Sequence, residues 1–121
     1  MPMVKIEILE GKTSNYKKAV ITGVHKAIAD AVEVSKNDII QRLHEIPGEF
    51  FIQPSDRSVD LTIIEISLYP GRSESVKKNL YETIVKYLGQ SPGIEAKDII
   101  IVLYEPPMEN WAFRCENLSN K

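Results

Sequence analysis

The residue with the clearest chemical potential is the second in the chain, where the sequence reads Met1-Pro2-Met3-Val4. Proline has no amide hydrogen to donate, so it suits the first position of a strand. If Met1 is removed, Pro2 carries a free secondary amine. An α-amino group titrates at about 7.7–8.0, and burial or nearby cations lower its pKa. Pro2 is therefore either the first residue of a strand or a general base whose pKa lies near neutral pH. General-base catalysis raises a reaction rate by roughly 10²–10⁴-fold.

Two cations occupy matching places, each just before a predicted helix start. Lys12 follows Gly11, and Arg72 follows Gly71. The amino terminus of a helix presents free N–H groups and the positive end of its dipole, so a cation there completes an anion site. Arginine binds a carboxylate with a planar fork, whereas lysine offers a point charge. The alternative interpretation is two solvated surface cations.

These matches belong to an internal repeat with an offset of 60 residues. Gly11-Lys12-Thr13 returns as Gly71-Arg72-Ser73, and Asp38-Ile39-Ile40 returns as Asp98-Ile99-Ile100. The register holds without a gap between these pairs. Two copies are too few for a solenoid, so the repeat indicates one supersecondary unit that is duplicated.

Each copy has the pattern of a strand, a helix and a second strand. The predicted strands are 4–9, 39–46, 61–68 and 99–104. The first predicted helix starts from a cap at Thr13 or Ser14 and continues through Ala31, and the second covers 74–88. Segment 47–60 connects the copies, with a possible short edge strand at 50–52. The predicted fold class is α+β: duplicated βαβ units that form a four-stranded mixed sheet with two helices on one face.

The helices leave the other face of the predicted sheet open. Its residues include the charged Lys5, Glu7 and Glu65 and the apolar Leu61 and Ile63, with several more from the last strand. A mixed face of this size is more often covered by a partner than left in water. We therefore predict a homo-oligomer.

The bulk composition predicts a single domain over residues 1–121, with repeat halves 1–58 and 59–121, because 121 residues are too few for two cores. The net charge of −2 gives no overall attraction to nucleic acid or acidic membranes. The longest apolar run is too short to span a bilayer. A single cysteine, Cys115, is typical of a reducing compartment. We predict a cytoplasmic protein with no nucleic-acid or membrane partner.

The opening proline, the repeat and the carboxyl-terminal motif together resemble the tautomerase superfamily. Within it, the chain is similar to the longer-chain group that includes malonate semialdehyde decarboxylase. The motifs are Glu10-Gly11-Lys12-Thr13, Asp56-Arg57-Ser58, Pro70-Gly71-Arg72-Ser73 and Glu105-Pro106-Pro107-Met108-Glu109-Asn110-Trp111-Ala112-Phe113. The resemblance implies a homotrimer and keto–enol chemistry on a small carbonyl carboxylate of the 2-oxo acid type. It also implies that no metal or organic cofactor takes part.

The resemblance further implies roles for particular residues. The Pro2 nitrogen takes a proton from one atom of the substrate and returns it to another. Cations bind the substrate carboxylate, an aspartate assists the proline, and aromatic side chains keep the pocket apolar. The predicted site residues are Pro2 and Asp38 for catalysis, and Arg72, Lys12, Phe51 and Trp111 for substrate binding. The alternatives are a turn or capping role for the aspartate and simple packing for the aromatics.

One stretch departs from the decarboxylase pattern, which carries arginines just upstream of the Gly-Arg-Ser motif. Here the stretch is Ser67-Leu68-Tyr69-Pro70, with no basic residue. Because loss of carbon dioxide needs such donors, we predict a tautomerase and keep decarboxylation or hydration of a 3-oxo acid as the alternative. A non-enzymatic binding protein is the second alternative. An RNA-binding ferredoxin-like domain is disfavoured because the third strand lacks aromatics that could stack on bases.

Overall fold

The computed structural model describes residues 1–113 and 116–117, so Cys115 lies outside the described residues. The strands are β1 (Met3–Leu9), β2 (Ile40–Ile46), β3 (Thr62–Ser67) and β4 (Ile99–Tyr104), and the helices are α1 (Ser14–Val32) and α2 (Glu74–Gln90). Short 3-10 helices at Lys36–Asp38 and Ala96–Asp98 lead into β2 and β4. Each half of the repeat therefore contains a strand, a helix, a short turn of helix and a second strand.

The two long helices begin alike, as the repeat predicts. Thr13 caps α1 by accepting a hydrogen bond from the Tyr16 N–H at 3.1 Å, and Ser73 caps α2 by accepting one from the Val76 N–H at 3.3 Å. Such caps stabilise a helix start by about 0.5–2 kcal/mol. Within residues 1–113 and 116–117, neither helix combines the length and the apolar content that crossing a bilayer demands.

The main sheet has the strand order β2-β1-β3-β4. β1 runs parallel to β2 and β3 runs parallel to β4, while β1 and β3 pair antiparallel in the centre. Each parallel pair is joined by one helix, and right-handed crossovers place both helices on the same face. The predicted α+β class, with duplicated βαβ units and a four-stranded mixed sheet, is confirmed.

The helix-covered face of the sheet is apolar. Along β1, Val4, Ile6 and Ile8 are almost fully buried and alternate with half-buried residues. One apolar stripe from each helix packs on this face, made of Val20, Val24, Ala27 and Ile28 from α1 and Leu80, Ile84 and Leu88 from α2. Each such side chain stabilises the fold by about 1.5–3 kcal/mol when fully buried. This layer fixes the sheet whose ends carry the candidate functional residues.

The opposite face is open in a single chain. Lys5 lies beside Arg42 of β2 and Glu65 of β3, and the Lys5 Nζ is 3.3 Å from the Glu65 Oε2. Large apolar side chains are exposed on the same face, namely Ile40, Ile100, Val102 and Tyr104. The prediction for Leu61 is wrong: this residue is buried, because it precedes β3 and does not follow the strand's alternation.

Two short segments differ from the predicted pattern. The edge strand predicted at 50–52 is wrong, because a 3-10 helix covers Gly48–Phe50. The Phe50 N–H donates to the Pro47 carbonyl at 2.9 Å, which closes this turn. A second sheet, which the sequence did not predict, pairs β5 (Ala112–Phe113) antiparallel with β6 (Glu116–Asn117).

A buried carboxylate fastens the connection between the halves to the start of β4. Asp98 is 2% exposed and accepts hydrogen bonds from the Ser58 N–H at 2.8 Å and the Ser58 hydroxyl at 2.6 Å. Burial acts to raise the pKa of Asp98, but the two bonds from Ser58 and the charges of Lys97 and Arg57 hold it below its usual value. Its repeat mate Asp38 is exposed.

Replacing Asp98 with asparagine is expected to destabilise the fold by about 1–3 kcal/mol at neutral pH, because Ser58 loses a charged acceptor. The lowered pKa of the folded state gives stability that is present above the unfolded pKa and lost as the pH falls through the folded pKa. The native protein should therefore lose stability toward acid more steeply than Asp98→Asn. Urea unfolding from about pH 2 to pH 7 measures this difference.

The exposed neighbour Asp56, which pairs with Arg57 at 2.8 Å, offers a matched control for this experiment. Asp56→Asn removes the same charge from an exposed ion pair, so it should cost less than about 1 kcal/mol. Equal losses for the two variants, or parallel curves of stability against pH, would contradict the structural role of Asp98.

Candidate active site

Pro2 lies at the amino end of β1, between the start of β2 and the end of β3. It is buried, and its carbonyl accepts a hydrogen bond from the Ile40 N–H at 3.0 Å. On the other side, Met3 pairs with Ser67. The position of Pro2 is therefore fixed by the centre of the sheet.

The terminal amine at this end of the sheet belongs to Met1, and the Pro2 nitrogen is part of a peptide bond. The Met1 amine stands in for the Pro2 amine that removal of Met1 would expose. Its pKa lies below the ordinary value, mainly because it is partly buried. Asp38 acts to raise this pKa, and Arg72 acts to lower it further. An amine, a carboxylate and a cation therefore interact at one end of the sheet.

Asp38 reaches this end from the 3-10 helix Lys36–Asp38. Ser35 caps that turn, because its hydroxyl accepts from the Asn37 N–H at 3.2 Å and its carbonyl accepts from the Asp38 N–H at 2.9 Å. The turn ends two residues before Ile40, where β2 begins. The carboxylate is exposed in a single chain, so a ligand can approach it.

Arg72 approaches from the turn between β3 and α2. Gly71 has a φ of 118°, a conformation that side chains rarely adopt, so this turn requires glycine. The Arg72 Nη1 donates a hydrogen bond to the Tyr69 carbonyl at 3.2 Å, which holds the half-buried guanidinium near the end of β3. A guanidinium has five N–H donors, so this bond leaves donors that can bind a carboxylate.

Aromatic rings pack beside Arg72. The Trp111 ring meets the Tyr69 ring edge-to-face, with 5.0 Å between centroids and 86° between planes, and meets the Phe113 ring at 6.1 Å. Trp111 is 6% exposed, and its indole N–H donates to the Pro106 carbonyl at 3.1 Å. The structure thus brings Trp111 to the end of the sheet that holds Pro2.

Tyr69 was not among the predicted site residues, although the sequence contained a signal for it. Ile63, Glu65 and Ser67 alternate along β3 on the open face, and Tyr69 continues that alternation by one step. The ring contact with Trp111, which comes from a distant part of the chain, was not visible in the local pattern.

Lys12 and Phe51 lie at the other end of the sheet. Lys12 follows the carboxyl end of β1, a strand of seven residues, so it is roughly 20 Å or more from Pro2. It forms an ion pair with Asp60, and its Nζ lies 4.8 Å from the centroid of the Tyr16 ring. Phe51 follows the carboxyl end of β2 and is half-buried. Within one chain, both side chains therefore lie at the end of the sheet opposite Pro2.

At this opposite end, side chains of the same chain interact with one another. Burial, with the charges of Asp60 and Asp98, raises the pKa of Tyr16 to about 12, so its phenol stays protonated at neutral pH. The Tyr16 hydroxyl is buried without a hydrogen-bond partner in the described part of the chain. Lys12 and Asp98 are the repeat mates of Arg72 and Asp38, and both make internal contacts here.

The groups at the amino end of β1 are suited to acid–base chemistry on an anion. An amine with a lowered pKa can accept a proton near neutral pH. A nearby guanidinium can bind a carboxylate and stabilise negative charge that develops during a reaction. Among residues 1–113 and 116–117, the structure shows no group of three or more His, Cys, Asp or Glu side chains that could hold a metal ion.

Comparisons with known proteins define the class of protein. A family model described as tautomerase enzyme matches residues 40–114, more than half of the chain, and a second with the same description matches residues 2–58. The chain belongs to the tautomerase family. It is 25% identical over 118 residues to the probable tautomerase YusQ of Bacillus subtilis (strain 168), covering 93% of each chain. It is also 37% identical over 49 residues to a 2-hydroxymuconate tautomerase of Comamonas testosteroni, covering 40% of this chain and 78% of that protein.

Solved structures share the fold over nearly the whole chain. A malonate semialdehyde decarboxylase, described with decarboxylase and hydratase activities, superposes with a TM-score of 0.84 at 27% identity and covers 98% of this chain and 97% of its own. A fused 4-OT solved as an asymmetric trimer has a TM-score of 0.87 at 16% identity, with the same coverage of 98% and 97%, and shows the fold alone. The predicted resemblance to the tautomerase superfamily is confirmed.

Proposed function

We propose that this tautomerase-family chain is an isomerase that moves a proton between oxygen and carbon of a small 2-oxo acid, with the Pro2 nitrogen as general base and acid. The observation that carries this proposal is the convergence of a partly buried amine, Arg72 and Asp38 at the amino end of β1. The proposal requires removal of Met1, which frees the Pro2 nitrogen. Burial and the cation favour an uncharged amine near neutral pH, the state that accepts a proton.

In the proposed cycle, the Pro2 nitrogen takes the proton of the enol hydroxyl. It then delivers this proton to the carbon of the enol double bond that does not carry the oxygen. The substrate therefore gains and loses no atom. Arg72 binds the substrate carboxylate and stabilises the charge that develops on the enolate oxygen. The negative charge of Asp38 stabilises the protonated Pro2 amine, which is the state between taking the proton from the substrate and returning it. Trp111 keeps this end of the pocket apolar.

We assign Lys12 and Phe51 to the same kind of site, but to the site of a neighbouring subunit. Both lie at the end of the sheet opposite Pro2, so they cannot reach the Pro2 site of their own chain. A cavity of about 310 Å³ lies at this end, lined by Leu9, Glu10, Gly11, Lys12, Gly48 and Val59. In a ring of copies, this end of one chain can meet the amino end of β1 of the next chain.

We further propose that the chain forms a homotrimer through the open face of its sheet. Four apolar side chains on that face, namely Ile40, Ile100, Val102 and Tyr104, are 36–47% exposed in a single chain. Contact with another copy removes such surface from water and gains about 25 cal/mol per Å². The similar fused 4-OT structures are trimers, which supports this assembly.

Val102→Asp is expected to reduce the assembly from the mass of three chains to that of one. Val102 lies beside Glu65 in the sheet register, and Glu65 already pairs with Lys5, so the new carboxylate would be buried next to a like charge without a cation of its own. Sedimentation equilibrium measures the change. Thr22→Asp, on the exposed face of α1, introduces the same charge on the helical side and should leave the mass unchanged. A trimeric Val102→Asp protein would contradict an interface on this face.

Two measurements test the proposed function directly. The intact mass of the protein purified from its native host should lack Met1. The same preparation should accelerate ketonisation of the enol forms of 2-oxo acids, followed by ultraviolet absorbance. Retention of Met1 in an active preparation would rule out the Pro2 amine as the base.

Decarboxylation or hydration of a 3-oxo acid is the second candidate, and the 27% identity to malonate semialdehyde decarboxylase favours it. In that reaction a protonated Pro2 amine would act as an acid. The absence of a basic residue from segment 67–70 argues against it. The pH dependence of kcat/KM separates the candidates, because a required base gives a rate that rises with pH and a required acid gives one that falls.

A further inference from the structure

We infer that His25, in the middle of α1, is a positioning residue for the proposed reaction, because its imidazole holds the turn that carries Asp38 beside the amine. His25 acts through this turn and not on the substrate. Asp38 assists the Pro2 amine only under the proposed function, so the role of His25 rests on that function.

The His25 ring is bound to the backbone of the turn Lys36–Asp38. The Nε2 of His25 lies 2.6 Å from the Lys36 carbonyl oxygen, and a carbonyl can only accept, so Nε2 carries the hydrogen and donates it. The charged groups around the half-buried ring are Lys26, Asp30 and Lys36, which line one cavity with it. A neutral ring with its hydrogen on Nε2 and a protonated ring both donate from this atom, so the bond persists in either state.

Asp38 lies between two backbone attachments. On one side, the Lys36 carbonyl is bound to His25 of α1. On the other side, the Ile40 N–H donates to the Pro2 carbonyl at 3.0 Å. The backbone at Asp38 is therefore held between the helix and the residue that supplies the amine.

The same face of α1 binds the start of β2. The side-chain amide of Gln41 donates to the Ile21 carbonyl at 3.1 Å. Ile21 and His25 are four residues apart, so they are neighbours on one face of the helix. This face thus holds the chain before and after Asp38.

The two repeats hold their matching carboxylates in different ways. Val85 occupies the position equivalent to His25, and its side chain has no donor. In that repeat, Ser58 binds the Asp98 carboxylate directly. In the first repeat, His25 binds the backbone of the turn, which leaves the Asp38 carboxylate exposed and able to act on the amine.

His25→Met tests this role, because methionine is of similar size and lacks a hydrogen-bond donor. The turn should lose its attachment to α1, so that Asp38 stabilises the protonated amine less and the amine pKa falls. The ascending limb of the pH profile should then move to lower pH, as in Asp38→Asn, and kcat/KM should fall about three- to tenfold. A pH titration of the amine by ¹⁵N NMR measures the pKa, and steady-state kinetics measures the rate.

Two further variants at the same position and one neighbour serve as controls. His25→Ala also lacks a donor and should give the same shift. His25→Gln should recover most of the native rate and pKa, because its side-chain amide can donate to the same carbonyl. Thr22→Met, at an exposed position of α1 that lines the same cavity, should change neither quantity.

A double-mutant cycle separates positioning from a purely structural role. In the Asp38→Asn background, His25→Met should cause no further change in the amine pKa, because the carboxylate that it positions is gone. A purely structural role would lower the free energy of unfolding and leave the amine pKa as it is. A native amine pKa in folded His25→Met, or a further fall in the Asp38→Asn background, would overturn the inference.

The amine pKa is measured without turnover, so failure of this role and failure of the proposed function give different results. A lowered amine pKa in His25→Met, with no turnover that depends on Pro2, refutes the proposed function while the positioning role stands. Turnover that depends on Pro2, with a native amine pKa in His25→Met, refutes the positioning role alone.

Discussion

Replacing Pro2 with alanine is expected to lower kcat/KM for ketonisation by about 10²-fold. After Met1 is removed, alanine still provides an amine, but the ring that fixes the nitrogen at the start of β1 is gone. Misplacing a reacting group by about 1 Å can cost 10²-fold. A variant in which the amine is blocked by an added amino-terminal residue should lose the full general-base contribution, roughly 10²–10⁴-fold.

Steady-state kinetics with each variant measures this loss, and intact mass establishes which amino terminus each preparation carries. Pro54→Ala, in the exposed connection between the halves, is the matched control and should retain native activity. Native kcat/KM in the blocked variant would remove the Pro2 nitrogen from the mechanism and favour a binding role for this fold.

Replacing Arg72 with glutamine is expected to lower kcat/KM by about 10²–10³-fold, the effect of losing a group that stabilises a developing oxyanion. A second effect concerns pH. A nearby cation disfavours the protonated amine, so the amine pKa rises when Arg72 is removed, and the ascending limb of the pH profile moves to higher pH. Asp38→Asn should move the same limb to lower pH, because the carboxylate favours the protonated amine.

The opposite shifts in these two variants separate an electrostatic role from a loss of folding, which would lower the rate at every pH alike. Lys78→Gln removes a positive charge from an exposed position on α2, the helix that follows Arg72, and should change neither rate nor profile. Arg72→Lys should recover part of the rate, since the charge remains without the planar fork. Identical pH profiles in the glutamine variant and the native protein would place Arg72 outside the site.

The sequence predicts most of the framework, because each element carries its own local signal. Alternation along β1 and the 60-residue offset predict the strands, and the hydroxyls of Thr13 and Ser73 predict where both helices start. The edge strand at 50–52 fails because its apolar residues are exposed or half-buried around a turn that Pro47 begins. The pairing of β5 with β6 lacks a pattern long enough to be recognised.

The candidate site is less predictable, because its members meet through the sheet register and not through spacing along the chain. The resemblance placed Arg72 and Lys12 in equivalent roles, yet the antiparallel centre of the sheet sends them to opposite ends. Lys12 and Asp60 pair across 48 residues of sequence, so the residues next to each of them do not indicate the contact. The contact of Tyr69 with Trp111 is hidden in the same way.

Joining two repeats in one polypeptide has a consequence for how the halves can diverge. A chain has one amino terminus, so only one of the two ends of the sheet can present a free amine. At the other end, Asp98 is bound by Ser58. Folding therefore constrains Asp98, whereas its repeat mate Asp38 is exposed beside the amine. The two halves can thus diverge at matching positions, which assemblies of identical single repeats cannot do.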